Sequence, residues 1–240
     1  MKEIHRKRLI IITSAIAGLL IICVIVFGVY VSDYYHAEDY DVLQEFSEII
    51  VEEYDNYTLY GDVDNADAGI IFYPGGKVEA EAYEPLMFHL ADNDICCVLV
   101  EMPFNLAVFG MNRADDIIDK YNGIDWYIAG HSLGGAMASS YASDHVDELN
   151  GLILLAAYPT EELPKDFPVL SIYGSEDMVL NSDKYNESKG LALAFSEVII
   201  QGGNHSGFGN YGFQSGDGEA AISSQNQWEL TVEYIVEWMN

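Results

Sequence analysis

The chain is 240 residues long, with 39 acidic against 10 basic residues and a formal net charge of −29. That length suits one mid-sized domain with a small attachment, and that charge excludes nucleic acid and anionic lipid headgroups as natural partners. Its three cysteines cannot form a disulfide framework: Cys23 lies in an apolar stretch, and the adjacent Cys96 and Cys97 read as buried small hydrophobes.

The attachment is at the front. From Leu9 to Val31 the sequence LIIITSAIAGLLIICVIVFGVYV runs 23 residues without a charge. At ~1.5 Å rise per residue this is enough to cross ~30 Å of hydrocarbon. A cleaved signal peptide has a shorter apolar region, about 7–15 residues, that closes on small residues. FGVYVSDYY offers no such site, and Cys23 follows Ile22 where a lipoprotein cut needs a small residue. The expectation is a retained transmembrane anchor over 9–31, so that the membrane is engaged through this helix. Lys2, Arg6, Lys7 and Arg8 precede it, whereas Asp33, Glu38 and Asp39 follow it. Positive residues stay inside, which makes 1–8 cytoplasmic and the bulk of the chain extracellular. Residues 1–31 hold four of the ten basic residues and one of the 39 acidic ones, so the remainder carries 6 against 38, a net −32.

Residues 32–56 read as a polar juxtamembrane linker followed by a short helix, VLQEFSEIIVEEY, ahead of a catalytic domain over 57–240. The acidic run Asp62–Gly69 (DVDNADAG) is not a calcium loop, because Ala66 stands where an oxygen ligand is needed. Short apolar runs then recur: GIIFYP, ICCVLVEMP, WYIAG, LNGLILLAAYP, VLSIYG and VII. Continuous apolar runs are the mark of parallel strands buried on both faces, and their alternation with helical stretches predicts an α/β domain with a mostly parallel sheet. The connection from Pro159 to Val169 is short and leaves little room for a lid.

The chemistry concentrates after the WYIAG strand. Gly130-His131-Ser132-Leu133-Gly134 is a G-x-S-x-G elbow between a strand and a helix of small residues, the context in which a serine hydroxyl is held clear of a sheet. Its glycines allow the sharp turn and the close approach of neighbouring backbone. A nucleophilic serine needs a base, and the base an orienting acid, arriving in this architecture in the order Ser, Asp or Glu, His. VLSIYGSED supplies Asp177, with Glu176 beside it as the alternative; Asp177 stands three residues after the turn glycine Gly174, where the acid is usual. His205 alone follows the final strand. His5 and His36 lie at the front, His89 and His145 precede the acid, and His131 is expected to point away from the hydroxyl. An oxyanion hole needs backbone N–H donors. Leu133, after the serine, is one, and Gly76 or Lys77 of Pro74-Gly75-Gly76-Lys77 is the other.

The late run Gly202–Gly218 (GGNHSGFGNYGFQSGDG) contains a formal G-x-G-x-x-G match at Gly207, Gly209 and Gly212. Only 28 residues remain after Gly212, enough for one closing helix but no further βα unit, so the nucleotide-binding reading fails. The run is a catalytic loop carrying His205, with Phe208, Tyr211 and Gln214 expected at the mouth of the site.

FYPGGKVEAEAYEPL, VLVEMPFNLAVFG, AGHSLGGAMASSYA, LILLAAYP, SIYGSED and GGNHSGFGNYGFQSGDGEA, spanning 72–220, resemble the bacterial α/β-hydrolases of the carboxylesterase and dienelactone-hydrolase-like group, in particular a small membrane-anchored subset. The resemblance implies an α/β-hydrolase fold, a mostly parallel sheet flanked by helices, and the triad Ser132, Asp177 and His205. Its chemistry would be hydrolysis of a small carboxylic ester or other acyl substrate without metal or organic cofactor. A thioesterase, a lactone or amide hydrolase, or an acyltransferase would use the same triad, and a silent binding module on the same scaffold is the rival of a different class.

Overall fold

The computed structural model describes residues 2–40, 46–66 and 68–240. They form two compact units, Met1–Tyr34 and Tyr35–Asn240. The first is one helix, α1 (Lys2–Ser32), long and apolar enough to cross a membrane.

The second unit is built on an eight-stranded sheet in the order β1-β2-β4-β3-β5-β6-β7-β8. Its strands are β1 (Val51–Glu53), β2 (Tyr57–Tyr60), β3 (Ala68–Tyr73), β4 (Cys96–Val100), β5 (Asp125–His131), β6 (Gly151–Leu155), β7 (Val169–Gly174) and β8 (Phe195–Ile200). The six from β4 to β8 are mutually parallel, and they coincide with the six apolar runs of the sequence. Side-chain alternation divides each central strand between two cores. Ile70 and Phe72 join one core with α2 (Glu84–Ala91) and α6 (Ser224–Met239), the helix that follows α5 (Ser182–Ser188) in the chain. Ile71 and Tyr73 face the other, with α3 (Ala114–Lys120) and α4 (Leu133–Asp144). Both faces being covered is what lets these strands dispense with polar residues.

The front of this unit departs from expectation. The helix expected over VLQEFSEIIVEEY is absent from its described part: 46–50 turn and Val51–Glu53 pair antiparallel with β2; residues 41–45 lie outside the described residues. Residues 52 and 53 are exposed glutamates, so a helix there would bury little, whereas the free edge of β2 offers three ladder positions. The compact unit also begins at Tyr35, not 57, because Tyr35 N–H donates to the Lys77 carbonyl (2.7 Å) and Glu79 N–H donates to the Tyr35 carbonyl (3.0 Å).

Candidate active site

β5 ends at His131 and α4 starts at Leu133, leaving Ser132 alone to turn the chain, at φ 51° and ψ −117°. A non-glycine residue there is strained by about 1–3 kcal/mol and persists only where its surroundings fix it. They do: Ser132 N–H donates to Leu155 on β6 (2.9 Å), and a Cβ on Gly134 would lie 2.1 Å from the Tyr73 carbonyl. The missing Cβ lets α4 sit directly on the end of β3.

Asp177 follows β7 and His205 follows β8. His205 Nδ1 meets Asp177 Oδ2 at 2.9 Å, with both side chains almost wholly buried. The other carboxylate oxygen, Oδ1, accepts from the N–H groups of Val179 (2.9 Å) and Leu180 (2.8 Å). A buried carboxylate needs this saturation, since an unpaired one would be strongly disfavoured. Glu176 is exposed and accepts from the Ser175 hydroxyl instead. His205 is fixed through its neighbours. Asn204 Oδ1 accepts from Gly207 N–H (2.9 Å), and buried Gln227 of α6 both donates to the Asn204 carbonyl (2.9 Å) and accepts its N–H (3.1 Å). Asp217 accepts from Ser206 N–H (2.8 Å) and Met178 N–H (3.3 Å), tying the histidine loop to the acid loop. His205 Nε2 is buried and has no hydrogen-bond partner.

Ser132 and His205 line one cavity of about 300 Å³, walled mainly by Leu133, Ala136, Ala156, Ala157, Val179 and Leu180, with Tyr158 and Asn181 as polar members. Phe208 and Tyr211 are not at its mouth. Phe208 is fully buried, its ring 5.7 Å from that of His131, and Tyr211 is packed between Tyr35 (5.4 Å) and Tyr83 (6.4 Å). Gln214, half-buried, accepts from the Tyr211 hydroxyl and is not in the lining either. Burying two rings outweighs exposing them at a rim, even in a glycine-rich loop.

His131 is not in the lining of the Ser132 cavity, and its ring lies 4.6 Å from that of His205. Burial, and then the neighbouring His205, hold its pKa well below the ordinary histidine value. Gly75 N–H donates to the Tyr83 hydroxyl (3.0 Å), which is in turn hydrogen-bonded to His131 Nδ1 (2.7 Å). This network anchors the loop after β3. In that loop Lys77 N–H is already donated to the Asn105 carbonyl (2.7 Å), so of the two oxyanion candidates only Gly76 retains an open N–H. Gly76 packs against Leu133, since a Cβ on it would meet the Leu133 side chain at 2.7 Å. Leu133 opens α4, where an N–H has no carbonyl one turn back. Two uncommitted donors thus come from touching residues beside Ser132.

Residues 69–229 match the alpha/beta hydrolase family. The chain belongs to that family. This alpha/beta hydrolase has no detectable match among curated proteins. In solved structures its fold is shared with Est1E from Butyrivibrio proteoclasticus, at 15% identity and TM-score 0.56, over 80% of this chain and 98% of that one. It is also shared with the esterase Rv0045c from Mycobacterium tuberculosis (12%, 0.58, 80% and 90%) and with a thioesterase domain from the curacin biosynthetic pathway (10%, 0.56, 79% and 99%). At such identities the likeness is one of fold. Family membership makes the chain a hydrolase enzyme with a small-molecule substrate.

Proposed function

We propose that this chain is a serine hydrolase of carboxylic esters, working through Ser132, His205 and Asp177. The observation that carries the proposal is the buried Asp177–His205 pair, whose unpaired Nε2 belongs to a residue sharing one cavity with Ser132. Ser132 Oγ attacks the ester carbonyl as its proton passes to His205 Nε2. Asp177, bonded at Nδ1–H, holds the tautomer and stabilises the imidazolium. Charge developing on the carbonyl oxygen is met by the N–H groups of Leu133 and Gly76. Collapse expels the alcohol with the proton from His205, leaving Ser132 acylated. Water, activated by the same histidine, then releases the acid.

The small, largely apolar cavity favours short acyl groups. The test is a panel of p-nitrophenyl esters from acetate to decanoate, with and without an alcohol acceptor. Turnover falling with chain length is expected, and in Ser132→Ala a loss of at least ~10⁴-fold in kcat. Turnover that survives in Ser132→Ala contradicts the proposal, and product formed only with acceptor reassigns it to acyl transfer.

Lys2, Arg6, Lys7 and Arg8 lie at the N-terminal end of α1, ahead of its uncharged stretch, and support an orientation of that anchor with the catalytic unit outside. Protease added to intact cells should then remove the catalytic unit and leave α1 in the membrane fraction. A full-length protein recovered in the soluble cytoplasmic fraction would contradict that topology.

A further inference from the structure

The loop carrying Gly76 and the loop carrying His205 come from β3 and β8, at distant positions in the sheet. A third segment, Tyr35–Glu38, touches both, and it lies outside the residues that match the family. On the Gly76 side, Tyr35 makes a parallel bridge to Val78. Its N–H donates to the Lys77 carbonyl (2.7 Å), and its carbonyl accepts from Glu79 N–H (3.0 Å). The Glu79 carboxylate returns across the same junction, with Oε2 accepting from Ala37 N–H (2.8 Å) and Oε1 at 2.8 Å from His36 Nδ1. On the histidine side, Glu38 N–H donates to the Asn210 carbonyl (2.8 Å) and Asn210 Nδ2 donates back to the Glu38 carbonyl (2.7 Å). The Tyr35 hydroxyl accepts from Ser215 N–H (3.1 Å), and its ring lies 5.4 Å from that of Tyr211.

The residue gripped on the first side is conformationally strained. Lys77 sits at φ 61°, a left-handed conformation that a non-glycine residue adopts only when held. It is held from two directions: its N–H by the Asn105 carbonyl, its carbonyl by Tyr35 N–H. Its neighbour Gly76 supplies the open donor beside Ser132. Releasing Tyr35 frees one of the two restraints that fix Lys77, the residue next to that donor. Releasing Glu38 frees the loop at Asn210, two residues beyond the Ser206–Phe208 turn that follows His205.

We propose that Tyr35–Glu38 is a clasp that sets the Gly76 loop against the His205 loop, with Tyr35 and Glu79 as positioning residues for chemistry at Ser132. The inference rests on the ester-hydrolase reading for its kinetic consequence, but not for its structural one.

The test uses full-length protein in detergent, as wild type, Glu79→Ala, Glu79→Gln and Asn210→Ala. In Glu79→Ala, kcat on a short ester should fall about tenfold or more with KM within about twofold, because a small displacement of a donor weakens transition-state binding without emptying the pocket. Glu79→Gln keeps an acceptor oxygen for Ala37 N–H and should recover most of the loss. Hydrogen exchange gives a readout that needs no turnover: Glu79→Ala and Asn210→Ala should each speed exchange in both loops, 75–79 and 206–215. Exchange that changes only in the loop bearing the mutation, or in neither, overturns the clasp. So does an unchanged kcat in an active enzyme, or a fall in kcat that only tracks a lowered unfolding temperature. A wild type that turns over no ester, with coupled exchange intact, counts against the ester-hydrolase reading and leaves the clasp standing.

Discussion

On the acid–histidine side of the cavity, both Asp177 oxygens have donors and the backbone around His205 is bonded to Asn204, Asp217 and Gln227. On the serine side the backbone is strained at Ser132 and Lys77, and the N–H groups of Gly76 and Leu133 have no assigned acceptor. The contrast follows from when each group needs its partners. The Asp177 carboxyl is buried at all times, so its hydrogen bonds must exist before any substrate arrives. In the proposed mechanism the oxyanion exists only in passing, and donors already satisfied would have to break bonds to meet it. The satisfied half is therefore rigid by its own bonds, whereas the open half must be braced from outside, through Tyr83, Asn105 and the Tyr35–Glu38 segment.

Three changes separate these halves, in decreasing size. Asp177→Asn keeps the two backbone bonds to Oδ1 but removes the charge opposite Nδ1, and kcat should drop by about 10⁴-fold with the fold intact. Steady-state kinetics checks this, and a loss below tenfold would mean that the acid is not orienting His205. Tyr83→Phe strikes the brace. Gly75 N–H loses its buried acceptor, which should cost about 1–3 kcal/mol of stability. Chemical denaturation should record that, alongside a smaller drop in kcat than in Asp177→Asn. An unchanged stability would show that Gly75 N–H finds another acceptor.

The smallest effect is on pH dependence. His131 is held neutral by burial, so its folded pKa lies below the unfolded value of about 6.5. The unfolded chain then takes up this proton first as pH falls. The stability associated with neutral His131 is full above about 6.5 and is lost below it, by at most about 1.4 kcal/mol per pH unit. His131→Gln should lose less stability than wild type between pH 7.5 and 5.5, read from denaturation midpoints. Parallel curves would contradict the assignment of His131 as a neutral buried group.

The sequence made the parallel sheet legible because strands buried on both faces cannot hide their composition. β1 and β2 escaped because they are short, antiparallel and at one edge; Tyr57–Tyr60 carries no continuous aliphatic run, and Val51–Glu53 is exposed. Ser132, Asp177 and His205 stood out by chain order, each after its own strand, and the structure brings Asp177 and not Glu176 to His205. The bracing groups left no such trace. Tyr83 meets His131 across 48 residues, and Asn210 meets Glu38 across 172, with nothing in the local pattern of either residue to announce it. The burial of Phe208 and Tyr211 has the same root: a glycine-rich catalytic loop carrying His205 points to the mouth of a site, and tertiary packing buries their rings instead.

The central claim is that Ser132 is an activated nucleophile, and labelling tests it most directly. Folded full-length protein treated with a fluorophosphonate should carry one adduct, mapped by peptide mass spectrometry to Ser132, with labelling suppressed in Ser132→Ala and strongly slowed in Asp177→Asn. A folded wild type that takes up no probe, or takes it up at another residue, would contradict the account.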